Sequence, residues 1–140
     1  MSTLSSFFAQ NAIHLDTELF VVSKRFVDAD GKPVPWKLRS MTEAENEECR
    51  RAATKQVKGK GNARQTELNG DEYLLKLVAK SVVFPELGDA DLQKSYGVLG
   101  AENLLRKMLL PGEYANLLVK AQEINGFESD INELVDEVKN

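Results

Sequence analysis

Two periodicities alternate along the chain, and they place its elements. Leu4, Phe7, Phe8 and Ala12 recur at helical spacing, which predicts a short amphipathic segment near the start. Phe20, Val22 and Phe26 then fall in a period of two, and so do Val34, Trp36 and Leu38. Between the two runs lies Asp28-Ala29-Asp30-Gly31-Lys32, a turn sequence in which Gly tolerates positive φ. The pattern predicts a β-hairpin over about 18–39. Pro33 and Pro35 lack backbone donors, which predicts an edge position for its second strand.

Helical spacing dominates the rest. Thr42 and Glu45 form a T-x-x-E capping box, predicting a helix from 43 to about 57 with a thin apolar face of Ala44, Cys49, Ala52 and Ala53. Lys58-Gly59-Lys60-Gly61-Asn62 breaks that helix and predicts a flexible loop through about residue 69. Asp71 to Val83 carries a polar stripe of Glu72, Lys76 and Lys80 and is mostly apolar elsewhere, as in a largely buried helix ending near Pro85. Asp89 can cap a short helix closed by Gly97. Leu104, Leu105, Met108 and Leu109 share one face, and Tyr114, Leu117, Leu118 and Ala121 another, with Pro111 suited to the first turn and Gly126 to the stop. Ser129 caps a last run in which Ile131, Leu134, Val135 and Val138 keep helical spacing. The predicted fold is mostly α: a helical bundle over about 70–139 carrying an N-terminal β-hairpin (an α+β arrangement), in one domain over residues 1–140.

Composition narrows the function classes. The 140 residues are 42% hydrophobic and 29% charged, with a formal net charge of −4. That charge argues against tight nucleic-acid binding by the whole chain. No apolar run approaches the roughly 18 to 20 residues that span a bilayer, and Met1–Leu4 lacks the features of a signal peptide. One cysteine precludes an internal disulfide, and together these features predict a reducing cytoplasm. The charge is uneven: Arg50, Arg51, Lys55, Lys58, Lys60 and Arg64 stand without an acid between Cys49 and Thr66, whereas the stretch from Gly112 onward is acidic.

Catalytic chemistry finds no foothold. His14, the one histidine, has no orienting partner or nucleophile beside it in sequence. Cys49 lies next to Arg50 and Arg51, which would lower a thiol pKa, but its small-residue face suits a buried thiol. One Cys and one His fall short of a zinc site. Asp28, Asp30 and Gly31 resemble the start of a calcium loop, yet Arg39 stands where the bidentate Glu belongs. Gly59-Lys60-Gly61 lacks the spacing of a phosphate loop. No cofactor or metal is expected, and the chain reads as a non-enzymatic binding protein. Its candidate contact residues are Trp36, either core or partner contact, and Arg50 and Arg51. The basic stretch is a solvated face, a dock for an acidic protein surface, or the site of a small nucleic-acid-binding regulator; it lacks the interleaved aromatics of a base-stacking platform.

Several stretches resemble the XkdN-like phage tail assembly chaperones. They are Ser23-Lys24-Arg25-Phe26, Gly31-Lys32-Pro33 with Trp36-Lys37-Leu38-Arg39, and Thr42-Glu43-Ala44-Glu45-Asn46-Glu47. Further along come Ser81-Val82-Val83-Phe84-Pro85-Glu86-Leu87, Leu92-Gln93-Lys94-Ser95-Tyr96-Gly97, Met108-Leu109-Leu110-Pro111-Gly112-Glu113-Tyr114 and Glu123-Ile124-Asn125-Gly126-Phe127. The resemblance implies a role in building phage tails: binding the tape measure protein, recruiting tail tube subunits, acting in the host cytoplasm and being absent from the finished particle. Such chaperones are often made in two lengths through a ribosomal frameshift. A helical client suits a helix-in-groove mode, with the apolar helices from Leu104 to Val138 as groove builders. Ile131, Leu134 and Val135 are either a mobile contact element or ordinary core. Self-association is left open.

Overall fold

The computed structural model describes residues 3–13, 17–61 and 63–127. The helix expected to be capped by Ser129, with Ile131, Leu134 and Val135, lies outside the described residues, as does His14.

The fold is mixed α+β, which corrects the expectation of a mostly helical bundle. Among the described residues, five α-helices stand beside two small antiparallel sheets. After a 3₁₀ turn at Thr3–Phe7, strands β1 (Glu18–Phe20) and β2 (Trp36–Leu38) pair with Phe20 opposite Trp36 and Glu18 opposite Leu38. The loop between them is pinched by a bridge between Val27 and Pro33. Asp28 holds its tip, its carboxylate accepting from the amides of Asp30 (2.8 Å) and Lys32 (3.0 Å). Strand β2 is central and not at an edge, because β5 (Val82–Phe84) pairs along its other side. Pro33 and Pro35 fall before the strand, so all three residues of β2 keep their donors. Trp36 and Leu38 face the core and Lys37 faces water, the alternation that a sheet with one covered face requires.

Helix α1 (Glu43–Ala52) opens on the expected capping box. Thr42 Oγ1 accepts from the Glu45 amide at 3.3 Å and the Glu45 carboxylate from the Thr42 amide at 3.1 Å. It ends five residues early. Thr54–Lys58 is strand β3, and with β4 (Arg64–Leu68) it forms a hairpin where a helix end and a flexible loop were expected. Gly59 and Gly61 make its turn; Gly61 sits at φ 71°, a conformation that favours glycine. Asn69 closes the hairpin by donating its amide to Ala53 O (2.9 Å) and then caps α2 (Gly70–Ser81) through Glu72 N at 3.1 Å.

The remaining helices follow the pattern of their caps. Asp89 accepts from Leu92 N at 2.8 Å to start α3 (Ala90–Ser95). Helix α4 covers Ala101–Met108, and α5 runs Pro111–Ile124 with its proline in the first turn, where a missing donor costs nothing. α2 packs on α1, α4 and α5. The core joins Trp36 and Leu38 from the sheet to Leu75, Leu77 and Val78 of α2 and to Leu104, Leu105, Leu117 and Ala121 of α4 and α5.

Polar clasps bind separate elements, two of them across distant segments. Arg25, in the β1–β2 loop, donates Nε to Glu113 Oε2 (3.1 Å) and Nη2 to both Glu113 Oε1 and Met108 O (2.9 Å), gripping the corner between α4 and α5. Arg39 makes a two-nitrogen pair with Glu45 at 3.2 and 2.7 Å. Asn125, just past α5, accepts from Met41 N (2.7 Å) and donates to Ser81 Oγ (2.9 Å) and Ala121 O (2.7 Å).

Candidate functional site

The helix packing leaves an apolar groove along α2, α4 and α5. Leu74 and Leu75 of α2 form one wall, Leu105 and Leu109 the base of α4, and Pro111, Tyr114 and Leu118 the facing side of α5. Its volume is about 330 Å³, and Asp71 and Arg106 stand at its polar margin. At the groove, α4 and α5 are separated by a two-residue break. Leu109 and Leu110 are extended there, and the Glu113 carboxylate folds back to accept from Leu110 N at 2.8 Å. Arg25 fixes that same carboxylate, so the corner is locked from the sheet side. Hydrogen bonding from Arg25 holds the Glu113 carboxyl well below its ordinary range, at about 2. Burial pushes the Tyr114 hydroxyl up, keeping it neutral at the groove wall.

A second concavity of about 460 Å³ lies where the β1–β2 loop meets β5 and α3, lined by Phe26, Val27, Val34, Phe84, Leu92 and Tyr96. Arg25 stacks on Phe26, 4.9 Å from the ring centroid. Trp36 contributes to this lining but is only 2% exposed, so it belongs to the core.

The other expected contact residues are scattered. Arg50 sits on the exposed side of α1 and pairs with Glu43 at 3.0 Å. Arg51 is exposed beside it. The basic stretch after them is split: its first two cations end α1, and the others lie on the β3–β4 hairpin. Cys49 is buried, and burial pushes its thiol up, away from the thiolate that nucleophilic chemistry needs. Among the described residues, no group of three or more His, Cys, Asp or Glu is placed to hold a metal ion, and no helix is long and apolar enough to cross a membrane.

Sequence reasoning identified the apolar face of α5 but not its pairing with Leu74 across the groove. Each wall is visible as a periodic stripe, whereas the gap between walls is set by how the helices cross. Phe84 was also missed as a surface residue: it is 52% exposed on β5, inside a run that reads as the end of a helix.

The sequence profile of the phage XkdN-like tail assembly chaperone proteins matches residues 4–139. The XkdN protein of the phage-like element PBSX in Bacillus subtilis (strain 168) is 34% identical over 140 residues, covering 98% of this chain and 93% of its own. The YqbN protein of the same organism is 31% identical over 138 residues, with the same coverage. A crystal structure of YqbN superposes with a TM-score of 0.77 at 28% identity, covering 91% of this chain and 99% of that one.

Proposed function

Starting from the chain's membership of the phage XkdN-like tail assembly chaperone family, we propose that it binds the tape measure protein and helps recruit tail tube subunits during tail assembly. The observation that carries this reading is the family match across 4–139, which takes in every described residue but Thr3. The groove of α2, α4 and α5 supplies a physical means. A tape measure protein is long and helical, so an apolar stripe on it needs cover until tube subunits arrive. A groove with leucine and tyrosine walls and a polar margin accepts one face of such a helix.

The groove's size sets the strength of the contact. At about 330 Å³ it takes a few side chains and not a whole helix. Each apolar side chain moved from water contributes roughly 1.5 to 3 kcal/mol before the cost of ordering. Three or four such anchors give binding that can be reversed, as release to the growing tube demands. The protein acts in the host cytoplasm in this account and leaves before the particle is complete. Its role is binding, and no residue is assigned to catalysis.

Co-expression tests the proposal. The tape measure protein should remain in the soluble fraction with this chain and precipitate without it, and equal solubility in both cases would rule the reading out. A regulator that uses Arg50 to Arg64 on nucleic acid would instead be retained on DNA at low salt, with retention falling steeply as salt rises. The chaperone account expects no such retention.

A further inference from the structure

The N-terminal segment carries apolar surface that the client groove does not need. Thr3 to Ile13 holds no charged side chain. Leu4 is 67% exposed, Phe7 77%, Phe8 47% and Ile13 93%, and the 3₁₀ turn has no buried residue. The segment folds on itself, with the amides of Asn11 and Ala12 both donating to Phe8 O at 2.9 Å. So short a helical turn is marginal alone in water. It also holds two adjacent phenylalanines in solvent, each of which could bury about 150–250 Å². The segment therefore lacks an apolar cover.

The concavity between the β1–β2 loop, β5 and α3 has matching chemistry. It measures about 460 Å³, room for several side chains, and its lining of Phe26, Phe84 and Tyr96 suits edge-to-face contact with phenylalanine. Phe84 and Val27 are both about half exposed there. Arg25 is its one charged lining residue, and Glu113 already neutralises it. A charged segment would lose hydration there without gaining a free counter-charge, whereas an uncharged one does not. The client groove differs, with Asp71 and Arg106 at its margin. One copy's segment is badly placed for its own concavity. Strand β1 starts at Glu18, opposite Leu38 and at the end away from the β1–β2 loop. It also lies on the other side of β2 from β5, two strand spacings or about 10 Å away.

We propose that Thr3–Ile13 of one copy docks in this concavity of a second copy, and that the two copies exchange segments reciprocally. Area decides for exchange. At about 200 Å² per aromatic side chain, the exposed parts of Phe7 and Phe8 come to about 250 Å², and Leu4 and Ile13 roughly double it. One such contact, with a similar area on the concavity, buries about 1,000 Å², short of the roughly 1,200–2,000 Å² of a stable interface. Two of them related by a two-fold axis bury about 2,000 Å². Exchange leaves the groove of α2, α4 and α5 open on both copies, whatever fills it.

Sedimentation velocity of the full chain tests this. The wild type should pass from monomer toward dimer between about 1 µM and about 100 µM. Phe7→Ser combined with Phe8→Ser should stay monomeric across that range, and so should Phe84→Glu. All of these positions are exposed, so the far-UV circular dichroism spectrum should not change in either variant. A photoreactive amino acid at Phe7, in an equal mixture of unlabelled and heavy-isotope chains, reports where the segment sits. Mixed-isotope crosslinks should join it to peptides that carry Phe84 or Tyr96. A wild type that stays monomeric at about 100 µM overturns the proposal. So does a dimer that survives in either variant. Crosslinks confined to one chain overturn it too, since they seat the segment in its own molecule. Crosslinks to Leu74 and Leu118 instead of Phe84 and Tyr96 do the same, since they place the segment in the client groove.

Discussion

Replacing Asn125 with alanine should remove about 2 kcal/mol of folding stability, a figure that follows from its three hydrogen bonds. Its Oδ1 accepts from Met41 N at 2.7 Å, and its Nδ2 donates to Ser81 Oγ at 2.9 Å and Ala121 O at 2.7 Å. The bond to Ala121 stays within α5 and its end, so its loss costs little. The other two cross between elements, and each contributes about 1 kcal/mol net. Ser81 is fully buried, but its hydroxyl also donates to Leu77 O at 2.8 Å and so keeps a partner. The Met41 amide would lose its acceptor beside a cleft of about 160 Å³ that admits water, which spares most of the penalty for an orphaned group. The net loss stays near 2 kcal/mol, or about 6–8 °C in Tm for a chain of this size.

Urea unfolding of wild type, Asn125→Ala, Ser81→Ala and the double variant measures the effect. The two side chains touch, so the cycle should show a coupling of about 0.5–1 kcal/mol. Asn125→Asp sharpens the test. It keeps an acceptor for Met41 but turns an oxygen toward Ala121 O and adds a negative charge at a helix C-terminus, so at neutral pH it should be no more stable than the alanine variant. A loss below about 0.5 kcal/mol with no coupling would refute the view that this node ties the end of α5 to α2 and to the entry of α1.

Other outcomes follow from the same structure. Leu104, fully buried where α4 meets the core, should cost about 2–5 kcal/mol on truncation to alanine, read as a lower urea midpoint with an unchanged m-value. Glu45 and Glu113 are both held at about 2, by hydrogen bonds from Arg39 and Arg25 respectively. Their folded pKa values lie below the unfolded range near 4.3, so the stability they contribute is complete above about pH 5 and is lost as pH falls toward 2. The urea midpoint should fall across that window, and Glu113→Gln should flatten the fall. Leu118→Glu, at the groove wall, should leave the far-UV circular dichroism spectrum intact and abolish the solubilising effect on the tape measure protein.

Local signals account for what the sequence made legible. The Thr42–Glu45 box, the Asp89 cap, Pro111 at the start of α5 and Gly97 and Gly126 in left-handed turns were all readable, because each concerns a few adjacent residues. The β1–β2 pairing was readable only in part, since of the alternating Phe20, Val22 and Phe26 only Phe20 lies in β1, and the place of β2 in the sheet was not readable at all. That place depends on β5, and Val82–Phe84 continue the apolar run of α2 without a break. The β3–β4 hairpin left no periodic trace because both of its faces are exposed, so neither face needed apolar residues. Its glycines marked a break, and only the pairing of the flanking runs made that break a turn. Of the groove, the stripe of Tyr114 and Leu118 was legible. Its meeting with Leu74 depends on the corner held by Arg25 and Glu113, residues far apart in sequence.

Site-specific photo-crosslinking during tail assembly tests the central claim most directly. A photoreactive amino acid would replace Leu74 or Leu118 in the groove, with Lys24, exposed in the β1–β2 loop, as the control site. The account predicts that both groove positions capture the tape measure protein before tube assembly and lose it afterwards, while Lys24 captures little. Tape measure crosslinks equally strong from Lys24, or none from either groove position, would contradict it.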